Sequence, residues 1–159
     1  MSTSPDPERE ELLRQAVQNL RSLSAAVDLF THATGKRLGI NATDLQCLNL
    51  IHELGTPTAG ELAAKTGLTS GSITGVVDRL ERAGYVRRQA DLSDRRRVRI
   101  IPTAQAGRAA QEVFWPLLAE FAQSFSGYSE AELRLIVVFM ESTRRLLMEQ
   151  VGRMRQQER

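Results

Sequence analysis

Cysteine and histidine are nearly missing from this chain. One cysteine and two histidines occur in 159 residues, so no intrachain disulfide can form. Few side chains therefore titrate near neutral pH without help from neighbours, which speaks against acid–base or nucleophilic catalysis. His32 and His52 lack the paired spacing of a metal site, and the chain has neither a G-x-S-x-G elbow nor a glycine-rich phosphate cradle. The expectation is a protein that is not an enzyme and needs no cofactor. Long apolar runs are missing too. Charges interrupt every stretch far short of the roughly 20 residues that span a bilayer. The start, MSTSPDPEREE, is acidic and polar, unlike a secretory signal. A soluble, cytoplasmic protein with no membrane partner is expected.

What the chain does have is helical periodicity. Residues 1–9 carry two prolines and no apolar run, and are expected to form a disordered tail. Leu12, Ala16, Leu20, Leu23, Val27 and Phe30 recur at spacings of three and four, which predicts an amphipathic helix over 10–34, broken by GKRLGIN. TDLQ reads as a capping box opening a second helix at Thr43, which ends at Gly55. Thr58 with Glu61 opens a third, short helix, stopped by Gly67. Thr69 caps a fourth, SGSITGVVDRLERAG, which Gly84 ends. The period then changes. YVRRQA and RVRIIP are short and β-branched, with a charged segment between them, and predict a hairpin. Two further helices follow from Thr103, the first containing Pro116 and therefore expected to kink. Ser129 with Glu132 caps the second. The apolar stripes of the first and last helices are too long for the middle section to bury alone, which predicts a dimer.

The segment AGELAAKTGLTSGSITGV has the spacing of a helix-turn-helix. Ala63 is the small residue where two helices cross, Gly67 tolerates positive φ in the turn, and Ile73 and Val76 face inward from the second helix. The hairpin tip DLSDRRR gathers Arg95, Arg96 and Arg97 on a projecting wing, suited to phosphates or a minor groove. The overall charge of +2 conceals this concentration. Between Lys65 and Arg99, nine basic residues stand against four acidic ones, a net +5 that leaves −3 for all other residues. Basic charge coinciding with helix-turn-helix and wing predicts a face for double-stranded DNA.

ELAAKTGLTSGSITGVVDRLERAGYVRRQADLSDRRRVRIIPT, with its flanking helices, resembles the MarR family of winged-helix transcription regulators. The likeness runs from about Leu12 to Val151, and its most specific part is DLSDRRRVRIIPT. It implies a mainly α (α+β) fold, a winged helix-turn-helix lobe with a two-stranded wing flanked by N- and C-terminal dimerisation helices. On that reading 10–159 is one domain, with dimerisation helices at 10–34 and 103–152 and a DNA-binding lobe at 43–102. The implied activity is sequence-specific DNA binding by a homodimer, as a repressor on a pseudo-palindromic operator, released by a small ligand or by oxidation.

Carried over residue by residue, the resemblance puts Thr69, Ser70, Gly71, Ser72 and Thr74 at the DNA-facing start of the recognition helix, with Arg79 as a candidate phosphate contact. Arg95, Arg96 and Arg97 belong to the wing. Asp78 matches a family aspartate that pairs with a wing arginine, assigned to Arg96. This recognition helix has no Arg or Lys in its first half, so bidentate guanine reading from there is excluded. A family ligand pocket would draw on Phe30, His32, Arg37, Asp44, Cys47 and Trp115, which suits a phenolic or carboxylate effector. Two alternatives stand beside this reading. One is a redox-responsive regulator switching through Cys47, although the surrounding Leu48, Leu50 and Ile51 give no reason for a lowered thiol pKa. The other is a winged-helix protein-interaction module, which would not need concentrated arginine.

Overall fold

The computed structural model describes residues 6–94 and 96–157. Helix α1 (Pro7–Leu38) begins where the Asp6 carboxylate accepts from the Glu8 amide, with a proline in the first turn, and ends at Gly39 with φ 70°. Pro7, Glu8 and Arg9 are thus helical rather than tail, while residues 1–5 lie outside the described residues. The helix also runs through Gly35, where a break was expected. Gly35 is buried, and a Cβ built on it would stand 2.7 Å from the Ile40 carbonyl oxygen. This glycine permits a close backbone approach; the left-handed stop comes at Gly39.

Helix α2 (Ala42–Leu54) starts before Thr43, because Asn41 provides the cap: its side-chain oxygen accepts from the Asp44 amide at 2.8 Å. Asn is as good a cap as Thr, and this register turns Asp44 inward. Helix α3 (Ala59–Thr66) opens with the expected Thr58–Glu61 capping box and closes at Gly67, φ 68°. Helix α4 (Ser70–Arg82) is capped by Thr69, and Gly84, φ 79°, turns the chain out of it. Strands β1 (Val86–Ala90) and β2 (Val98–Pro102) pair antiparallel, Val86 opposite Pro102 and Ala90 opposite Val98. Helices α5 (Ala104–Ser124) and α6 (Glu130–Gln157) complete the order. The Ser129–Glu132 capping box forms as expected.

The lobe holds together because one apolar face of each element meets the others. Leu48 and Ile51 of α2, Leu62 of α3, and Ile73, Val76, Val77 and Leu80 of α4 form a continuous core with Val86, Ile100, Ala106 and Ala109. Each buried Leu or Ile stabilises the lobe by roughly 1.5–3 kcal/mol before entropy is counted. Ala63 is half-buried against that core, the small residue expected at the α3–α4 crossing. Tyr85 is buried but not orphaned, since its hydroxyl donates to the Leu38 carbonyl at 2.9 Å. Inside the hairpin, the Ile100 amide donates to the Pro57 carbonyl at 2.8 Å, so the segment before α3 backs the wing.

By internal contacts the described residues fall into two compact units, divided between Val113 and Phe114. The buried core of the first runs as far as Ala109. In the first unit α1 exposes Leu12, Leu13, Val17, Leu23 and Val27. In the second, no residue of α6 is buried, and Leu135, Val138, Phe139, Met140 and Leu147 are all at least half exposed. Pro116 lies inside α5, where it has no amide to offer the preceding turn.

Candidate nucleic-acid interface

The start of α4 is open and uncharged. Thr69, Ser70, Gly71, Ser72 and Thr74 are all exposed. Thr69 Oγ1 accepts from the Ser72 amide at 3.2 Å and meets Ser72 Oγ at 2.8 Å, while Thr74 Oγ1 donates to the Ser70 carbonyl. The hydroxyls are therefore ordered, and they keep spare lone pairs outward. Helices α1, α2, α3 and α6 each carry an acidic residue in the first turn, whereas α4 and α5 carry none. An acid there would favour the helix dipole; its absence leaves the amide end positive, the condition for meeting phosphate.

The second half of α4 is held by two arginine–carboxylate clamps. Arg79 donates from Nε to Asp44 Oδ2 at 2.9 Å and from Nη2 to Oδ1 at 2.7 Å. The Asp44 side chain is 2% exposed. On the other side Arg88 of β1 reaches Asp78 at 2.7 Å and Glu81 at 2.6 Å, and its own amide donates to Glu81 at 2.8 Å. That amide bond, followed by the Arg88 side chain, holds the Glu81 carboxyl below its ordinary pKa. Two sequence assignments change as a result. Asp78 pairs with Arg88, not with Arg96, because the tight turn at Gly84 sends β1 back beside α4. Arg79 is engaged with Asp44 instead of standing free towards phosphate.

The wing has its own network. The Asp91 carboxylate accepts from the Ser93 hydroxyl at 2.6 Å, from Arg99 Nε at 2.6 Å, and from the Ser93 and Asp94 amides. These bonds, led by the Ser93 hydroxyl, hold the Asp91 carboxyl well below the aspartate range. Glu61, fixed by its capping box, lies 3.5 Å from Arg97 and 3.6 Å from Arg99. The wing base is thus fastened to the start of α3. Among the described residues, Lys65, Arg82, Arg87 and Arg96 are exposed and hold no ion pair. Arg95 lies outside the described residues. Lys65, Arg82 and Arg87 were counted in the basic segment from the sequence but given no individual role there.

These elements make the shape of a winged helix-turn-helix. Residues 40–98 match the MarR family. A curated relative, an uncharacterised HTH-type transcriptional regulator YcgE from Bacillus subtilis, is 41% identical over 148 residues, 93% of this chain and 96% of the relative. The chain belongs to the MarR family. It is a winged-helix transcriptional regulator and not an enzyme. A MarR family protein from Bacillus stearothermophilus superposes with a TM-score of 0.63 at 28% identity, covering 89% of this chain and 97% of that one. Streptococcus pneumoniae FabT, solved in complex with DNA, shares the fold with a TM-score of 0.69 at 19% identity, covering 86% and 98%. No helix among the described residues is long and apolar enough to cross a membrane.

The six residues of the expected ligand pocket are differently disposed. Asp44 and Cys47 are buried in the lobe. Arg37 is exposed on α1, as is His32, whose Nδ1 lies 3.2 Å from the Asp28 carbonyl. Phe30 is 36% exposed, and Trp115, in the second unit, is 69% exposed. Asp44 borders a cleft of about 370 Å³ with Gly39, Ile40, Asn41, Arg79, Arg82 and Ala83, a set that includes none of the other five.

Cys47 is a core residue, 1% exposed. Burial pushes its thiol pKa up, the Asp44 charge adds to the rise, and Arg79 offsets part of it. A thiol both buried and protonated reacts slowly with oxidants. Peroxide at concentrations that oxidise exposed thiols is therefore expected to leave the folded protein unmodified, as read by intact mass. Formation of a sulfenic acid or a mixed disulfide within minutes in the native state would reverse this assignment.

Proposed function

We propose that the protein is a homodimeric repressor that binds a pseudo-palindromic operator in double-stranded DNA and is released by a small phenolic or carboxylate effector. The observation that carries the DNA face is the α4 start, exposed, rich in hydroxyls and free of acid, in a lobe that also exposes the cations Lys65, Arg87 and Arg96. Ser70, Gly71, Ser72 and Thr74 would meet base edges through hydroxyl and methyl contacts. The wing arginines Arg95, Arg96 and Arg97 would supply minor-groove and phosphate contacts. Two such lobes about 34 Å apart match one turn of DNA. Dimerisation is supported by the apolar faces of α1 and α6, since exposed patches of that extent mark protein–protein contact. Release follows if the effector stabilises a different lobe spacing, as a population shift. The site of action is the cytoplasm, where the target DNA lies. Burial of Cys47 disfavours the redox alternative, and the unpaired basic groups disfavour the protein-interaction module.

The test is a gel shift on the intergenic DNA beside the protein's own gene, run as a salt series. Specific retention over random DNA of equal length is expected. The Arg95→Ala/Arg96→Ala protein is expected to bind at least about tenfold more weakly, with a shallower salt slope and an unchanged dimer in solution. Equal affinity for operator and random DNA would overturn the regulator mechanism; an unchanged salt slope would remove the wing from the interface.

A further inference from the structure

We propose that Asp44 is a positioning residue for DNA recognition, acting through Arg79: the contact between the buried Asp44 carboxylate and the Arg79 guanidinium, whose side chain is 43% exposed, sets the angle and register at which α4 is presented. The proposal rests on the reading of α4 as the DNA-contacting helix. Asp44 lies in the first turn of α2 and Arg79 in the third turn of α4, 35 residues apart in sequence. The pair joins two elements that also share the lobe's apolar core.

Those aliphatic contacts are not directional. Burial of apolar area is nearly indifferent to angle, so Ile51, Ile73, Val76, Val77 and Leu80 hold α4 by shape complementarity alone. A two-point guanidinium–carboxylate contact is not indifferent. Its donors are fixed in a planar fork and accept one approach. Arg79 also lies back along its own helix, with Nη1 only 3.5 Å from where a Cβ on Gly75 would stand. It is directed to α2 rather than extended outward.

Stability alone does not explain such a pair. Taking the Asp44 carboxylate out of water costs several kcal/mol, and apolar residues of similar volume often stabilise equally well or better. Orientation is what the pair adds. From Arg79 to Ser70 is nine residues, about 13 Å of helix. A tilt of a few degrees at the pair therefore displaces the DNA-facing end by about 1 Å, comparable with the tolerance of a hydrogen bond. Arg88, on Asp78 and Glu81, holds the same half of α4 from the wing side. Both arginine contacts act on the C-terminal half of the helix.

The experiment compares the full-length protein with Asp44→Asn, Arg79→Lys and the double replacement Asp44→Leu/Arg79→Met. Three quantities are read: melting temperature, the ratio of operator to random-DNA affinity, and the salt slope of operator binding. The double variant leaves no orphaned charge, so its melting temperature is expected to stay at or above wild type. Its operator-to-random ratio is expected to fall at least tenfold with the salt slope unchanged. Arg79→Lys keeps the charge but loses the fork, and is expected to fall in the same direction by less.

An unchanged ratio in the folded double variant would make the pair merely structural and end the proposal. So would a salt slope lowered by about 0.9 per subunit in the double variant but unchanged in Arg79→Lys and Asp44→Asn, since that identifies a phosphate contact. If wild type shows no operator preference, the DNA reading fails. The pair is then judged by amide exchange in the DNA-free protein. Faster exchange across α4 in Asp44→Asn supports the clamp, and unchanged exchange overturns it.

Discussion

Gly71→Glu is expected to make the lobe more stable and to abolish operator binding. Gly71 is in the first turn of α4, exposed, and a Cβ there would meet nothing within 4 Å. Replacing a helical glycine gains roughly 0.5–1 kcal/mol, and a carboxylate near a helix N-terminus adds roughly 0.3–1 kcal/mol. Both effects raise the unfolding midpoint. The same carboxylate sits where the helix would meet phosphate, and like charges brought together at an interface cost several kcal/mol. A loss of about 100-fold or more in operator affinity follows, since each tenfold is about 1.4 kcal/mol. Gly71→Ala separates the two effects: it should keep most of the stability gain and nearly all of the affinity. Denaturant unfolding and gel shift on the same preparations decide the matter. Full operator binding by folded Gly71→Glu protein would remove the start of α4 from the DNA face.

Gly35→Val is expected to destabilise the first unit by about 3 kcal/mol, the upper part of the usual range for overpacking. The added Cβ would stand 2.7 Å from the Ile40 carbonyl oxygen, with the Asn41 and Ala42 backbone 3.5 and 3.7 Å away. These are main-chain atoms, and they cannot turn aside as a flexible side chain would. Relief requires separating the end of α1 from the start of α2, where Ile40 donates to the Gly35 carbonyl at 2.9 Å and Tyr85 grips Leu38. Gly107→Ala is the matched control. It lies in the first-unit part of α5 with nothing within 4 Å of an added Cβ, and should stabilise by roughly 0.5–1 kcal/mol. A Gly35→Val protein as stable as wild type would show that the two helix ends can part freely.

Gly35 also marks where local reading of the chain gives out. In sequence, Gly35 and Gly39 are two glycines in one polar stretch, and either can stop a helix. The choice depends on which one has a backbone pressed against it, a contact made only once α2 has folded back. Asn41 and Thr43 pose the same problem at the other side of that junction, since both are good caps. The inward turn of Asp44 towards Arg79 goes with the earlier start. By contrast, Thr58–Glu61, Thr69 and Ser129–Glu132 were legible, because each cap is complete within four residues.

The candidate interface divides along the same line. The hydroxyl-rich start of α4 and its lack of acid can be read from consecutive residues, as can the change of period that marks the hairpin. Arginine partners cannot. Asp44 and Arg79 are 35 positions apart, and Asp78 has Arg88, Arg96 and other cations within reach of an unfolded chain. Only the turn at Gly84 brings Arg88 to it first. Scarcity of cysteine and histidine, helical period, capping boxes, the small crossing residue Ala63 and the basic concentration from Lys65 to Arg99 were determined by sequence, because propensity, capping and composition act over a few residues. Which arginines are held in clamps and which stay exposed, and whether Cys47 meets solvent, was decided by tertiary structure. Ion pairing and burial depend on groups that become neighbours only when the chain has folded.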